Sequence, residues 1–498
     1  MKSSIKYVAG SFAWSSIAKI LNAGLKFISI PLLLNYFGKE NYGLITLAVS
    51  TNAYMQLLNM GMNTGAVKFF SQWIATKDYD LINRVSRTNI SFYAGLGIIN
   101  SIVLLLLAWQ GTEVFNITSE EFSTFRYLLY ILAGASVINW TTFVFNQLLI
   151  ADEKMAFTQQ VLSARNIINL LLVLLTVQFK WSIIQYFLYD TLTNMLVIVP
   201  FYRVSKHRNL IQSILPAFYW KDFAVVFKYS LAIFAMSLFQ FTATQSRPIV
   251  LGMFTNQGAS ILSDYRVIEV FPIFIISIGG MLISILLPKT AQAVQRNDRK
   301  TIEKIAYEGT KYTSILVALL CFPIMLNAKG LITLYVGESY AYLSLWLSLW
   351  VFTLTLSLHN SPVSSLVLAT GKTRMLVYST SLACILSMII NAILCIQFGV
   401  GSAVIGYLVY IIIQVSFYYL YFNRRILGLN AMKVFKSFIV PTFLGIVAAV
   451  PFVVFELNTN LILQIIVKSA LWLLLYSVLL LVFKVLEREQ LLTLINKP

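Results

Sequence analysis

Long apolar runs separated by short polar connections recur along all 498 positions of the chain. Most runs reach the roughly 20 residues that an α-helix needs to cross a hydrocarbon core about 30 Å thick. Cutting at the charged and turn-forming stretches predicts about fourteen spans, near 12–36, 43–66, 89–109, 125–150, 161–179, 183–202, 224–253, 258–287, 309–328, 340–368, 376–397, 401–422, 438–456 and 462–484. Several exceed the crossing length, which implies tilt or a kink. The pattern predicts an all-α polytopic membrane protein with no long soluble domain.

Four of these spans carry a polar face. In the first, Ser15, Lys19, Asn22, Lys26 and Ser29 recur at spacings of four and three, which puts them on one side of a helix. The second span holds Asn52, Gln56, Asn59 and Asn63; the fourth Asn139, Thr142 and Asn146; the seventh Gln240, Thr244 and Arg247. An unsatisfied amide in an apolar medium costs several kcal/mol, so such faces need partners or water. Singly, each amide reads as glue between helices. Jointly, the four faces read as the lining of a hydrated passage.

Charges sharpen the picture. A charge near the bilayer centre costs between roughly 3 and more than 10 kcal/mol, so it normally faces a wet cavity, a partner or a substrate. Lys19 lies about 10 Å inside its span at 1.5 Å per residue, where its stem reaches back to the headgroups as readily as it faces a cavity. Lys26 is about 10 Å deeper and is expected to face a polar interior that receives an anion. Arg266 and Glu269 are three apart, and either neutralise one another or leave a guanidinium fork for phosphate while Asp264 and Glu269 titrate. Asp190, with Asn194 one turn on, either carries a proton or sodium ion or anchors its helix by hydrogen bonds. His359 stands beside Asn360, Ser361 and Pro362 and is expected to be a packing histidine in a helix disturbed by the proline.

Composition agrees, with 58% hydrophobic and 11% charged residues. The formal charge of +18 would suit nucleic acid on a single basic face, but the basic residues fall in alternate loops, 27 on one side against 6 on the other. That bias marks the cytoplasmic side, places both termini there and excludes nucleic acid as the expected partner. The first span is interrupted by Lys19, Asn22 and Lys26 and reads as a retained helix, not a cleavable signal. Cys321, Cys384 and Cys395 fall inside spans as small hydrophobes, so neither a disulfide frame nor a metal site is expected. No paired-carboxylate loop, metal-spaced His/Cys cluster or phosphate-cradling glycine loop is present, so no enzyme activity is expected.

A weak internal repeat runs through the chain. At an offset near 217, Pro31, Leu34 and Phe37 fall on Pro248, Leu251 and Phe254; at 218, Leu148, Ala151 and Lys154 fall on Leu366, Ala369 and Lys372. Six helices separate the equivalents, so the repeat is parallel and predicts two six-helix bundles, 1–222 and 223–430, followed by two additional helices and a tail in 431–498.

The run from Ser11 through Leu34-Asn35-Tyr36-Phe37-Gly38 to Tyr42-Gly43 carries a family resemblance. So do the stretch Tyr265-Arg266-Val267-Ile268-Glu269-Val270-Phe271-Pro272 leading to Leu286-Leu287-Pro288, and the turn Leu368-Ala369-Thr370-Gly371-Lys372. In these the chain resembles Wzx-type polysaccharide flippases of the multidrug, oligosaccharidyl-lipid and polysaccharide exporter superfamily. The resemblance implies a V-shaped alternating-access transporter in the bacterial plasma membrane. Its implied substrate is an oligosaccharide on polyprenyl (undecaprenyl) pyrophosphate, passed to the outer leaflet for O-antigen or capsule synthesis. The related MurJ-type lipid II flippases place basic residues in the first helix and an arginine in the eighth around a cationic cavity. By that resemblance Lys19 and Lys26 take the first role, although lysine replaces arginine, and Arg266 the second.

The expected substrate-binding set is Lys19, Asn22, Lys26, Asn52, Asn59, Arg247 and Arg266, and the expected ion-coupling set Asp190, Asp264 and Glu269. No cofactor is expected beyond a coupling H+ or Na+. The expected partners are the lipid-linked oligosaccharide, membrane lipids, and a polysaccharide polymerase with its chain-length regulator. The alternatives are a cation-coupled multidrug exporter of the same superfamily, against which the lysines argue, and a membrane oligosaccharide polymerase or glycosyltransferase.

Overall fold

The computed structural model describes residues 2–53, 56–370, 374–453 and 459–486, with most of their side chains, and all regular structure among them is helical. In chain order the first half runs α1 (Lys2–Ala53), α2 (Gln56–Ala75), α3 (Tyr79–Val114), α4 (Ser119–Ala151), α5 (Met155–Phe179), α6 (Ile183–Leu196), α7 (Ile198–His207) and α8 (Trp220–Phe254). The second runs α9 (Ser260–Gln295), α10 (Arg299–Lys304), α11 (Thr310–Leu326), α12 (Ala328–Val336), α13 (Ser344–Leu358), α14 (Ser361–Ala369), α15 (Arg374–Phe398), α16 (Val400–Phe417), α17 (Ala431–Val453) and α18 (Leu461–Val482). Ten helical stretches among the described residues are apolar and long enough to cross a membrane. The polar-faced α1 and α8, and α9, reach crossing length as well, at 52, 35 and 36 residues.

Local chemistry sets the breaks. Gly38 adopts φ 79° and ψ 169°, which divides α1 into arms 2–37 and 39–53 and separates the first two predicted spans. Pro200 supplies no amide to the carbonyl four residues earlier, and the helix it enters is interrupted at Val197, between α6 and α7. Pro362 interrupts its span as expected and sits in the first turn of α14. Thr118 with Glu121, and Ser182 with Gln185, form reciprocal caps at the starts of α4 and α6. The residue echoes coincide with helix ends. Pro31 and Pro248 each stand six residues before a break, at Phe37 and Phe254, while α4 and α14 stop at Ala151 and Ala369.

The chain forms two compact units, Met1–Arg266 with Asn391–Ala403, and Val267–Ile390 with Val404–Pro498. In the first, Phe70, Tyr93, Trp140, Phe145, Phe201 and Phe223 build one aromatic core from α2, α3, α4, α7 and α8. In the second, Phe322 of α11 stacks on Trp472 of α18 with ring centroids 5.5 Å apart, and the indole donates to the Gly445 carbonyl of α17 at 3.1 Å. His359 is fully buried in that unit, its ring 3.8 Å from Phe438. Its Nδ1 lies 3.2 Å from the Thr355 carbonyl, which only accepts, so Nδ1 carries the proton and Nε2 accepts from the Tyr419 hydroxyl at 2.9 Å. It is a satisfied packing residue, as its sequence context predicted. Cys321, Cys384 and Cys395 are buried thiols, none of them in a disulfide.

Gly43 marks the closest approach of the second arm of α1 to the start of α9. A Cβ there would lie 1.9 Å from the Ala259 carbonyl oxygen, whereas one at Gly24 would meet nothing within 4 Å. Gly43→Ala is expected to destabilise the protein by about 1–3 kcal/mol through overpacking, seen as a lower thermal midpoint in detergent. Gly24→Ala is expected to be neutral or stabilising.

Candidate functional site

The polar stripe of α1 begins the site. On a helix of 3.6 residues per turn, Asn22, Lys26 and Ser29 project between Ala18 and Ile30, both buried, and away from Phe27 and Ile28, both exposed. Ser29 is buried and Asn22 half-buried. Lys26 is exposed although it leaves α1 from this packed side. The side chains of Ser15 and Lys19 lie outside the described set, as do those of Gln56, Gln240 and Thr244. On the second arm of α1, the Ser50 hydroxyl accepts from the Arg266 guanidinium at 3.2 Å.

The amides of the first unit form two hydrogen-bonded groups. Asn100 of α3 donates to Asn52 of α1 at 3.0 Å and to Ser136 of α4 at 2.9 Å. The Tyr93 hydroxyl donates to Asn59 at 2.7 Å and accepts from Gln147 at 2.8 Å, and Asn89 donates to the Gln147 carbonyl at 2.9 Å. Thus Asn52 and Asn59 are tied to neighbouring helices, as the glue reading has it. Of the other polar faces, one borders a cavity within the first unit, that of α4. There Ser136 and Gln147 face α3, and Asn139, Thr142 and Asn146 point about a quarter turn away. That second face lines a cavity of about 190 Å³ bounded also by Asn52, Asn194 and Trp140. Asn194 donates to Asn139 across its wall at 3.2 Å.

Two of the three predicted coupling acids are held in ion pairs. Asp190 accepts from Arg165 at 2.7 Å and from Asn169 at 2.6 Å. Asp264, 2% exposed, sits 2.8 Å from the Lys39 ammonium. Glu269 is half-buried in α9. Arg247 is buried in α8, its Nε donating to the Ala243 carbonyl at 3.0 Å. No group of three or more His, Cys, Asp or Glu side chains suited to a metal ion occurs among the described residues.

The α3 members of these groups were not foreseen from the sequence. Asn89, Tyr93 and Asn100, spaced by four and seven, share one face of α3, and that spacing is the signal that would have found them. Arg165 pairs with Asp190 across 25 residues, a partnership that no helical spacing signals.

A sequence profile described as polysaccharide biosynthesis protein matches residues 8–294, more than half of the chain. The chain belongs to this family. No curated protein matches it by sequence. Among solved structures, this family member is similar to the lipid II flippase MurJ in an inward closed conformation, with a TM-score of 0.74 and 14% identity over 94% of this chain and 98% of that one. It is also similar to an inward-facing multidrug resistance MATE family transporter of the MOP superfamily, with a TM-score of 0.62 and 13% identity over 88% and 98%. A MOP superfamily transporter from Pyrococcus furiosus, described as having a binding pocket of reverse polarity, matches at TM-score 0.56 and 13% identity over 89% and 96%. The fold is that of these transporters, and the family member is a multi-pass membrane protein.

Interhelical hydrogen bonds within a membrane contribute about 0.6 kcal/mol on average and up to roughly 1.7. Asn100→Ala removes two of them, and is expected to lower stability by about 1–3 kcal/mol in a denaturation series in detergent. Asn100→Asp, which keeps the size but not the donors, is expected to be no better.

Proposed function

We propose that this protein is a flippase that moves an oligosaccharide repeat unit on polyprenyl (undecaprenyl) pyrophosphate from the cytoplasmic to the outer leaflet of the bacterial plasma membrane. The product feeds surface polysaccharide synthesis, as O-antigen or capsule. Family membership and the MurJ-like fold support the class. The observation that carries the substrate is Lys26, exposed on the packed side of α1 beside Asn22 and Ser29. Pyrophosphate and sugars are the parts of such a lipid that hydrocarbon rejects, whereas the polyprenyl tail travels in the membrane. An ammonium group on a polar helix face replaces some of the headgroup's hydration and counterions. Alternating access then releases it on the far side.

The basic residues also set orientation, with both termini in the cytoplasm. Arg266, half-buried and donating to Ser50, supplies a second cation from another helix. In the same proposal an H+ or Na+ gradient drives the cycle through Asp190, Asp264 or Glu269. For Asp190 and Asp264 the ion competes with Arg165 or Lys39 for the carboxylate. The MATE-like fold keeps a multidrug exporter as the second reading, but a cationic drug has no use for a lysine stripe.

Loss of one charge-assisted contact, worth about 1.5–3 kcal/mol, corresponds to roughly tenfold or more. Lys26→Ala is expected to lower flipping of a lipid-linked glycan by at least that factor in proteoliposomes, at unchanged abundance, with Lys26→Arg retaining most activity. Normal flipping by Lys26→Ala would remove the lysine from the substrate path. Asp190→Asn and Glu269→Gln are to be compared for pH and sodium dependence; a profile unchanged in both excludes them as coupling sites.

A further inference from the structure

The cavity inside the first unit has a chemistry unlike that of the lysine stripe. None of its lining residues is ionisable. Four side amides, Asn52, Asn139, Asn146 and Asn194, and the Thr142 hydroxyl supply polar groups from α1, α4 and α6, while the half-buried Phe143 and Leu162 supply apolar wall. A phosphate or a drug cation placed there would find no opposite charge, and a charge taken out of water without one is strongly disfavoured. An alkyl chain would strand the amides. What satisfies both kinds of wall is an uncharged ring that presents hydroxyl or acetamido groups at its rim and C–H groups on its faces.

Size fits the same ligand. A cavity of about 190 Å³ compares with one of about 150 Å³ that takes up benzene, so it admits a six-membered ring. Hydrogen-bonding capacity is also left over. Asn146 has a buried carbonyl oxygen with no hydrogen-bond partner, although its residue borders the cavity. Asn194 spends one N–H on Asn139, and a side amide offers four hydrogen-bonding positions in all. The Thr142 hydroxyl donates to the Ile138 carbonyl at 2.8 Å, which leaves its lone pairs as acceptors.

We propose that this cavity binds one uncharged sugar ring, a neutral hexose or N-acetylhexosamine, of the lipid-linked substrate, held by Asn139, Asn146 and Asn194 against the half-buried Phe143 ring. The proposal rests on the flippase reading and assigns sugar selectivity to a place separate from the basic stripe that meets the pyrophosphate. A charged sugar is rejected because nothing in the wall neutralises it.

The test uses the purified full-length protein in proteoliposomes, with methyl glycosides of neutral hexoses and N-acetylhexosamines as probes and methyl glucuronide as the charged control. The first readout is protection of Thr142→Cys from a small water-soluble maleimide. The native cysteines that would compete are buried, and the threonine change leaves every amide in place. The neutral glycosides are expected to slow labelling in a saturable way and the glucuronide to have no effect. Asn146→Leu is expected to weaken the protection roughly three- to tenfold, the worth of one hydrogen bond between uncharged groups. Phe143→Leu is expected to change the ranking of the sugars. Farnesyl pyrophosphate, the headgroup probe without sugar, is expected to leave Thr142→Cys labelling unchanged. If Thr142→Cys is labelled at one rate whatever glycoside is present, while a lipid-linked glycan is still flipped, the cavity is only hydrated and the proposal fails with the flippase reading intact. If glycosides protect and Asn146→Leu weakens the protection as expected, but no lipid-linked glycan is flipped, the sugar site stands and the flippase reading fails. Equal protection by the glucuronide and the neutral glycosides overturns the claimed selectivity.

Discussion

One rule of hydrocarbon governs the first unit: a polar side chain there keeps its hydrogen bonds only with other parts of the protein or with enclosed water. The helices are therefore not free to pack by apolar shape alone. Asn100 joins α1 to α4 through α3, and Tyr93 with Gln147 and Asn59 joins α2, α3 and α4. Each bond is modest in a membrane, but misregister of one helix would strand several groups together. The aromatic core around Phe70, Trp140 and Phe223 fills the space that this polar framework defines.

The same rule explains what the sequence made legible. Helix number, length and the breaks at Gly38 and Pro362 follow from runs, glycine and proline, which are local signals. Faces such as Asn139, Thr142 and Asn146 follow from helical periodicity, and α4 does turn that face into a cavity. Partners were harder. Whether Asn52 meets Asn100 or solvent depends on the rotation of α3, set by contacts 48 residues away. For that reason single amides read as glue and the faces jointly read as a passage; the cavity beside α4 takes in only Asn52 from the other three faces. On α4, Gln147 and Ser136 face α3 while the other polar side lines the opening.

Charges follow a similar division. By sequence, Asp190 reads either as a coupling group or as a hydrogen-bonded helix anchor beside Asn194, and Asp264 stands next to Arg266. Their partners arrive from elsewhere, Arg165 from α5 and Lys39 from just beyond the Gly38 break. Asp264 is the buried member of its pair, whereas Arg165, Asp190 and Lys39 keep part of their surface open, so loss of the cation is most costly at Asp264. An ion that couples through either carboxylate must therefore replace the cation already there, and the displaced arginine or lysine must move to water or to another acceptor. Coupling and helix movement would be one event at these sites.

Separation of charged from uncharged recognition has a consequence for selectivity on the proposed reading. A lysine attracts any pyrophosphate, whatever sugar it carries, because Coulomb attraction is long-ranged and weakly directional. A side amide discriminates through short, directional hydrogen bonds, and an analogue that leaves a buried amide unpaired is rejected by the full desolvation cost. Placing both functions on one surface would let the strong, unspecific term mask the weak, specific one. With the amides gathered on α4, α6 and the far end of α1, and the lysine stripe on the first arm of α1, headgroup capture sets whether a lipid binds, and the fit of one sugar sets which lipid proceeds.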